Sequence, residues 1–359
     1  MTTLHEALPA LSTDQFAEKI FDAVRGAAQV QALYLGDRLG WYRMLAEEGP
    51  LTAAELAHRT GTVARYAREW LEQQAVSGIL AADLGSQPVR FALPREYVDV
   101  LVDADSTGYM APMARFFVAA GVRLPDVVEA YRNGGGVSWE QLGTDAREAQ
   151  GAINRPMFLH QLTSELLPQV PDVHQLLQSG ARVADIGCGE GWSAIGLASG
   201  YPHCEVDGVD IDEPSIVAAK RNAAGHGVTE RVSFEVADAT GLPAAGYDAV
   251  FAFECIHDLP DPVSVLSTMR RIAKPGAPVI VMDERTADAF SPDAGPVEEL
   301  LYGYSIVCCL PDGMSHGESA ATGTVMRAST LDEYARSAGF DGATPLPVEH
   351  DFFRFYRLQ

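Results

Sequence analysis

The chain has 359 residues, 47% of them hydrophobic, and a formal net charge of −23 at pH 7. This length exceeds one average domain and predicts two, and the hydrophobic fraction is enough to build ordinary cores. So negative a chain repels nucleic-acid phosphates and anionic membranes. We therefore expect neither as a partner, and a small neutral or cationic ligand is favoured.

Cysteine usage and the apolar runs indicate the compartment. Five cysteines stand at positions 188, 204, 255, 308 and 309, with no C-x-x-C pair and no repeated spacing. This pattern argues against a disulfide framework or a zinc site. Residues 1–14 lack a basic segment followed by an apolar one, and no apolar run approaches the roughly 18 residues of a membrane span. We expect a soluble, cytoplasmic protein.

Residues 12–48 repeat apolar side chains at helical spacing, with Gly26 and Gly40 as expected interruptions. The pattern carries more apolar surface than two isolated helices can cover. A second copy of the chain would cover it, so we expect a homodimer.

A helix, turn, helix and hairpin follow. Thr52 and Glu55 form a capping box for a short helix, a second helix is predicted over 63–75, and short strands over 79–81 and 89–93. This order is typical of a winged helix, which can present a helix to the DNA major groove. Between Leu51 and Leu93, however, four arginines are balanced by four acidic residues. Because a DNA-reading domain would be basic, this segment is predicted not to bind DNA.

Residues 103–180 are predicted to be mostly helical, with a loop at 134–136. They are rich in methionine and aromatic side chains. Such residues are either plain core or the wall of a ligand pocket, and the sequence leaves both open.

The segment Val183–Ala194, VADIGCGEGWSA, is predicted to be a strand, a tight loop and the start of a helix. Glycines at 187, 189 and 191 let the backbone approach a ligand, and the free N–H groups of a helix N-terminus can receive a carboxylate. The D-x-G-x-G-x-G pattern differs from the G-x-G-x-x-G of dinucleotide folds, which disfavours a dehydrogenase. The position of Asp185 suits an ammonium group.

Three later strands, predicted at 205–209, 232–236 and 247–253, each end beside an acidic residue. Asp210 lies 19 residues beyond Gly191, about the distance at which a second-strand acid reaches a ribose. Open α/β sheets bind ligands at the carboxyl ends of their strands. The three acids are therefore predicted to border one crevice.

The DIGCGEG sequence resembles the first motif of class I S-adenosylmethionine (SAM) dependent methyltransferases. With its winged helix, the chain is similar to bacterial small-molecule O-methyltransferases and to actinobacterial winged-helix methyltransferases of undefined substrate. The resemblance implies an α/β fold, a Rossmann-like seven-stranded class I methyltransferase domain preceded by an α-helical winged-helix dimerisation domain. The implied divisions are 1–102, a helical linker and pocket segment over 103–180, and the SAM-binding domain over 181–359.

The resemblance also implies SAM as cofactor and S-adenosylhomocysteine (SAH) as its product. It places Asp210 on the ribose and Asp238 on the adenine amino group. The full set of implied cofactor-binding residues is Asp185, Gly187, Gly189, Gly191, Asp210, Ile211, Ala237, Asp238, Phe253 and Glu254.

The segment ECIHDLPDP resembles the H-D-W segment of O-methyltransferases, in which the histidine is the general base. His257 matches that histidine and Asp258 the following acid, whereas Leu259 replaces the tryptophan. A hydroxyl acceptor with a pKa near 10 needs such a base, and we expect His257 to take its proton. Two alternatives stay open: His257 only orients its loop, or an N- or C-methylation proceeds by proximity alone.

The acceptor, expected to be a hydroxyl of a secondary metabolite, should lie among the middle helices and an aromatic segment at 297–310, under a flexible loop at 311–323. The expected substrate-binding residues are Tyr109, Met113, Phe117, Phe158, Tyr302 and His316. We expect no metal, because Asp283 and Glu284 alone do not make a metal site. A SAM-sensing transcriptional regulator is the alternative from a different class.

Two elements are predicted near the C-terminus. Thr330 with Glu333 predicts a capping box for a helix that ends at Gly339. Residues 351–358, DFFRFYRL, are β-prone and predict a closing strand.

Overall fold

The computed structural model describes residues 11–244 and 246–359. The described chain folds into two compact units that divide after Val118. The predicted segment 103–180 is therefore shared between both units. The first ten residues of the predicted 1–102 domain lie outside the described residues.

The first unit begins with four helices, α1 (Thr13–Arg38), α2 (Trp41–Glu48), α3 (Ala53–Thr60) and α4 (Ala64–Val76). The predicted interruption at Gly26 is wrong, because α1 runs through it. A single glycine costs a long helix only about 1 kcal/mol. The interruption at Gly40 is confirmed: this residue adopts the left-handed φ of 66° and caps the start of α2.

A winged-helix hairpin follows α4. The Thr52 and Glu55 capping box forms at the start of α3. Strands β1 (Ala81–Asp83) and β2 (Arg90–Ala92) pair antiparallel. β1 starts two residues later than predicted, because the N–H groups of Ile79 and Leu80 both donate to the Gln74 carbonyl and close the end of α4. The winged-helix prediction is confirmed.

Aromatic rings pack together in the core of this unit. Trp70 packs against Trp41 and Tyr42 at ring-centroid distances of 4.9 and 5.0 Å. By contrast, the first half of α1 leaves large apolar side chains 49–64% exposed. These are Phe16, Ile20, Phe21 and Val24. The excess of apolar surface predicted for this segment is therefore present.

The remaining helices of the chain are α5 (Val98–Leu101), α6 (Ala111–Val122), α7 (Leu124–Asn133), α8 (Trp139–Leu142), α9 (Thr144–His160), α10 (Pro171–Gln178), α11 (Trp192–Gly200), α12 (Glu213–Gly225), α13 (Pro262–Ile272), α14 (Gly295–Tyr304), α15 (Leu310–Met314) and α16 (Ala328–Ser337). The remaining strands are β3 (Arg182–Ile186), β4 (Glu205–Asp210), β5 (Val232–Val236), β6 (Ala249–Phe253), β7 (Val279–Glu284), β8 (Ala343–Pro345) and β9 (Phe353–Leu358). Among the helices of the described residues, none combines the length and hydropathy needed to cross a membrane.

The second unit is built on a seven-stranded sheet in the order β5-β4-β3-β6-β7-β9-β8. Strands β3 to β7 pair in parallel, and β9 runs antiparallel to both β7 and β8. Since β3 pairs with β4 on one side and β6 on the other, the strand order reverses there, which is where open α/β sheets form their ligand crevice. The predicted seven-stranded fold is confirmed.

Two predictions near the C-terminus need correction. Helix α16 starts at Ala328 after Arg327, so the capping box at Thr330 and Glu333 is wrong. The N–H groups of Thr330 and Leu331 already donate to the Arg327 carbonyl, which places Thr330 inside the first turn. The predicted loop 311–323 also begins as the helix α15.

Two glycines let helices approach closely. A Cβ at Gly196 of α11 would lie 2.1 Å from the Phe158 carbonyl oxygen, and one at Gly200 would lie 2.0 Å from the Thr163 hydroxyl. The same region buries Met157, Leu162 and other apolar residues against the sheet. The part of this segment from Met157 to Leu177 therefore belongs to the hydrophobic core of the second unit.

Candidate functional site

The glycine loop joins β3 to α11. Gly187, Gly189 and Gly191 all adopt left-handed backbone, with φ of 70°, 51° and 80°. A Cβ at Gly187 would meet Cys255 Sγ at 2.7 Å, and one at Gly191 would meet the Phe234 ring at 2.5 Å. A Cβ at Gly189 would have no atom within 4 Å. Two glycines therefore serve packing, and the middle one borders open space.

Asp210 at the end of β4 ties this loop to its neighbour. One carboxylate oxygen accepts from the Gly189 N–H at 2.8 Å and the other from the Asp212 N–H at 2.9 Å. Burial raises its pKa, although these backbone donors oppose the rise. Asp210 therefore borders the open space beside Gly189.

The neighbouring strand ends supply the other predicted residues of this edge. Ile211 is 72% exposed and Ala237 is half-buried. Asp238 is exposed, and its carboxylate accepts from the Thr240 N–H at 2.9 Å. An adenine contact for Asp238 stays a prediction, since the same carboxylate also caps a local turn.

Two predicted cofactor-binding side chains are enclosed by protein. Asp185 is fully buried, and the Ser193 hydroxyl donates to it at 2.5 Å. Burial raises its pKa to about 7, with Ser193 acting against and Asp210 adding to the rise. The ring of Phe253 packs in the core, 5.6 Å from Phe158 and 5.2 Å from Phe251. Ligand contacts for both side chains stay predictions.

Helix α9 sends a row of polar side chains to the ends of the strands. Arg147 pairs with Asp212 at 2.9 Å. One and two turns further, Gln150 and Asn154 donate to the two carboxylate oxygens of Glu254 at 3.1 and 2.5 Å. Sequence analysis missed these three residues of α9. Their spacing of three and four positions places them on one helix face, and this was the available signal.

His257 stands just beyond β6 and is only 3% exposed. Its Nδ1 lies 2.6 Å from Asp283 Oδ1 and 2.9 Å from Glu284 Oε2. Its Nε2 lies 3.2 Å from Asp258 Oδ1. Burial lowers the pKa of His257, but the three carboxylates outweigh burial and raise it well above 6.5.

The two acids on Nδ1 of His257 differ in their protonation. Burial acts to raise the pKa of both. For Asp283, however, His257 and hydrogen bonds from Glu284 outweigh burial and lower the pKa. The pKa of Glu284 stays raised well above its usual value. We therefore assign the negative charge beside a positive His257 to Asp283.

Two groups at this site have the atoms to bind a metal: His257 with Asp283 and Glu284, and His257 with Asp258 and Cys309. Two ligands of a tetrahedral first-row ion lie about 3.4 Å apart, as follows from metal-ligand bonds of about 2.1 Å. The 2.6 Å between His257 Nδ1 and Asp283 Oδ1 is a hydrogen-bond distance. His257, Asp283 and Glu284 are therefore arranged for hydrogen bonding and not for binding a metal ion.

The predicted substrate-binding residues fall in both units. Tyr109, Met113 and Phe117 belong to the first unit, and burial raises the pKa of Tyr109. In the second unit, Phe158 is buried in the core described above. The Tyr302 hydroxyl accepts from Arg327 at 3.0 Å. His316 is exposed, 3.8 Å from Asp312.

The segment after α14 is held by the loop before α8. The Val137 N–H donates to the Pro311 carbonyl at 3.0 Å, and the Trp139 N–H to the Asp312 carboxylate at 2.7 Å. A Cβ at Gly136 would lie 1.8 Å from the Pro311 oxygen. On its other side, the Gly323 N–H donates to the His257 carbonyl at 3.2 Å. Residues 311–323 are therefore attached directly to the turn that holds His257.

Two family descriptions match this architecture. "Methyltransferase domain" matches residues 177–306, and "Rv2258c-like winged HTH domain" matches residues 27–102. The second unit has the fold of a class I methyltransferase domain. That domain holds the glycine loop, Asp210 and the His257 turn, and the winged-helix match covers α2 to α4 and the hairpin.

Similar proteins extend these matches. The 27-O-demethylrifamycin SV methyltransferase of Amycolatopsis mediterranei (strain S699) is 33% identical over 160 residues, which are 43% of this chain and 57% of that protein. The matched stretch thus spans little more than half of that relative's length.

Two solved structures align along nearly the whole chain. The mitomycin 7-O-methyltransferase MmcR aligns with a TM-score of 0.72 at 21% identity, over 96% of this chain and 98% of its own. PigF with SAH aligns with a TM-score of 0.71 at 19% identity, over 98% and 100%. At these identities the likeness establishes the fold of the methyltransferase domain and its winged helix.

Proposed function

We propose that this protein transfers a methyl group from SAM to a small-molecule acceptor. The observation that carries the proposal is the edge of the sheet at the reversal of strand order. There Gly189 borders open space and Asp210 presents a carboxylate held by two backbone N–H groups. The rifamycin relative, named as a methyltransferase, and MmcR, named as an O-methyltransferase, support the same class of reaction.

The chain's own residues fit SAM. Gly189 leaves room for a ligand beside the loop, and we assign Asp210 to the ribose and the exposed Asp238 to the adenine amino group. PigF, which shares the fold, is described with SAH. When bound, SAM supplies a methyl group on a positively charged sulfur. The protein's task is then to hold the acceptor in line with that methyl and to exclude water.

Calorimetry on Asp210→Ala tests the cofactor assignment. Loss of a charge-assisted contact should weaken SAM binding roughly ten- to a hundredfold. Glu205→Ala, at the exposed opposite end of the same strand, is the matched control and should bind SAM like the wild type. Unchanged SAM affinity in Asp210→Ala would remove the assignment.

For the acceptor we propose a hydroxyl group, with His257 as general base. The hydrogen bond between its Nδ1 and Asp283 fixes the ring and leaves Nε2 to receive the acceptor's proton. Asp258, 3.2 Å from Nε2, would share that proton.

A second candidate is N- or C-methylation by proximity alone. The burial of His257 favours it, because a 3% exposed ring offers a substrate little surface. Turnover of His257→Gln at the wild-type rate would favour this candidate over base catalysis.

A SAM-sensing regulator is the candidate from a different class, favoured by the winged helix alone. The balanced charge of that segment argues against it. Gel-shift assays on genomic DNA fragments discriminate the regulator from the methyltransferase. A methyltransferase with a net charge of −23 should not retard these fragments, because it repels DNA. We further propose a cytoplasmic homodimer without a resident metal.

A further inference from the structure

Glu254 lies at the reversal of strand order, directly after β6, with an unusual backbone. Its φ of 53° is left-handed, a conformation that glutamate rarely adopts and that concentrates at functional sites. The Glu254 N–H donates to the Met282 carbonyl at 2.7 Å. Next to it, Cys255 Sγ packs against Gly187 and donates to the Ile186 carbonyl at 3.3 Å. The backbone at Glu254 is therefore fixed against the glycine loop.

The carboxylate of Glu254 is oriented by neutral groups. The amides of Gln150 and Asn154 donate to its two oxygens, at 3.1 and 2.5 Å. Arg147, one turn earlier on the same helix, is paired with Asp212 instead. Two amides fix the direction of a carboxylate without neutralising its charge.

The charges around Glu254 are mostly negative. His257 stabilises its ionised form, whereas Asp283 and Asp258 oppose it. Burial, the largest effect, raises its pKa to about 7. The half-buried side chain therefore presents a carboxylate whose charge the surrounding protein does not fully offset.

We infer that the Glu254 carboxylate receives a positive charge of the bound cofactor, either its sulfonium or its ammonium group, and that Gln150 and Asn154 are positioning residues for it. The inference rests on the proposed function, since it concerns the same cofactor. A ligand cation beside this carboxylate would balance the negative charge that the surrounding protein does not fully offset.

Calorimetry on Glu254→Gln with three probes tests the inference at pH 8, where the wild-type group is ionised. SAM carries both cations, SAH keeps only the ammonium, and 5′-methylthioadenosine has neither. Glutamine keeps the shape and one oxygen but not the charge. Glu205→Gln, exposed at the other end of the sheet, is the control for lost charge, and thermal unfolding checks the fold of both variants.

If the sulfonium is the partner, Glu254→Gln should weaken SAM binding roughly ten- to a hundredfold and leave SAH and 5′-methylthioadenosine unchanged. If the ammonium is the partner, SAM and SAH should weaken alike. Equal weakening of all three probes, or of none, would overturn the inference. A wild type that binds none of the three overturns the proposed function itself.

A double-mutant cycle tests the positioning role. Asn154→Ala should weaken SAM binding several-fold in the wild type but not in Glu254→Gln, because the amide acts through the charged carboxylate. Additive losses in the cycle would overturn the role of Asn154.

Discussion

Three carboxyl groups of the second unit share an unusual property. Burial raises the pKa of Asp185, Glu254 and Asp312 to about 7 each. Each group therefore takes up or releases a proton near neutral pH, where ordinary carboxylates stay ionised. The neighbourhood of the proposed cofactor site is consequently sensitive to pH in the physiological range.

Asp185 gives the clearest stability prediction. Its folded pKa of about 7 exceeds its ordinary 3.8, so its contribution is complete below pH 3.8 and is lost as pH rises through 7. Asn resembles the protonated form and cannot ionise. From pH 5 to pH 8, the wild type should therefore lose roughly 2–3 kcal/mol of unfolding free energy relative to Asp185→Asn.

Urea unfolding at the two pH values measures this difference. Asp293→Asn, an exposed position of the same unit, is the matched control and should follow the wild type within a few tenths of a kcal/mol. A constant difference between Asp185→Asn and the wild type across this range would contradict the assignment.

His257 predicts a pH profile of activity. A base must be neutral to act, and the pKa of this ring is raised well above 6.5, so kcat/KM should rise with pH on a limb above neutrality. His257→Gln should lose the limb and lower turnover by roughly two to four orders of magnitude with SAM binding intact. The measurement is the steady-state rate of SAH formation from pH 6 to 9, with a methyl acceptor that the wild type turns over.

Asp283→Asn is the companion variant. It removes one of the charges that raise the pKa of His257, so the limb should move to lower pH. A profile that is the same in both proteins would mean that another group titrates.

At the residue scale, sequence reasoning predicted the three glycines of the loop but not their separate tasks. Cys255, just after β6, leaves no room for a side chain at Gly187, and Phe234 of β5 leaves none at Gly191. Both neighbours lie far along the chain from the loop. Only their packing reveals that Gly189 alone of the three borders open space. The glycine pattern predicts where the backbone has a positive φ, but it does not predict which side chains pack against each glycine.

Among the elements, the contact between the 134–138 loop and α15 can be tested by one methyl group. Gly136→Ala would place a Cβ 1.8 Å from the Pro311 oxygen, against backbone that cannot move cheaply. It should destabilise the protein by roughly 1–3 kcal/mol. Thermal unfolding should show a lower Tm.

Gly303→Ala, within the neighbouring α14, is the control. No atom lies within 4 Å of its added methyl, so it should be neutral or slightly stabilising. A Gly136→Ala protein as stable as this control would contradict the close contact.

Helices and strands were predicted best where apolar periodicity defines them. Strands β3 to β6 were predicted, because each is a short β-prone run that ends at the glycine loop or close to an acidic residue. The polar row on α9 was missed because Arg147, Gln150 and Asn154 resemble an ordinary solvated face. Glu254 lies 104 and 100 residues from Gln150 and Asn154, a separation that local patterns do not register.

For the whole molecule, the exposed apolar side chains of α1 predict its assembly. A second copy would cover them, and Phe21→Asp should therefore shift a dimer toward monomer. Val217→Asp, at a 61% exposed position of α12 in the second unit, is the control and should leave the mass of the assembly unchanged. Sedimentation at micromolar concentration measures both, and a monomeric wild type would sink the prediction.

The division of the molecule was predicted only in outline. Composition and length indicated two domains, and the structure has two compact units that divide after Val118. Met157, Leu162 and their neighbours, which belong to the predicted segment 103–180, join the core under the sheet. Apolar periodicity shows that a helix has a buried face, but not which core receives it.

The glycines of the second unit would diverge under different selections. In a saturation library screened only for soluble, folded protein, Gly196 and Gly200 should resist every replacement, because any side chain collides with the neighbouring helices. Gly189 should drift, toward Asn and Asp first, since these tolerate left-handed backbone and open space lies beyond. A second screen that demands methylation should restore glycine there. The comparison of the two screens would separate architectural from ligand-imposed constraint, position by position.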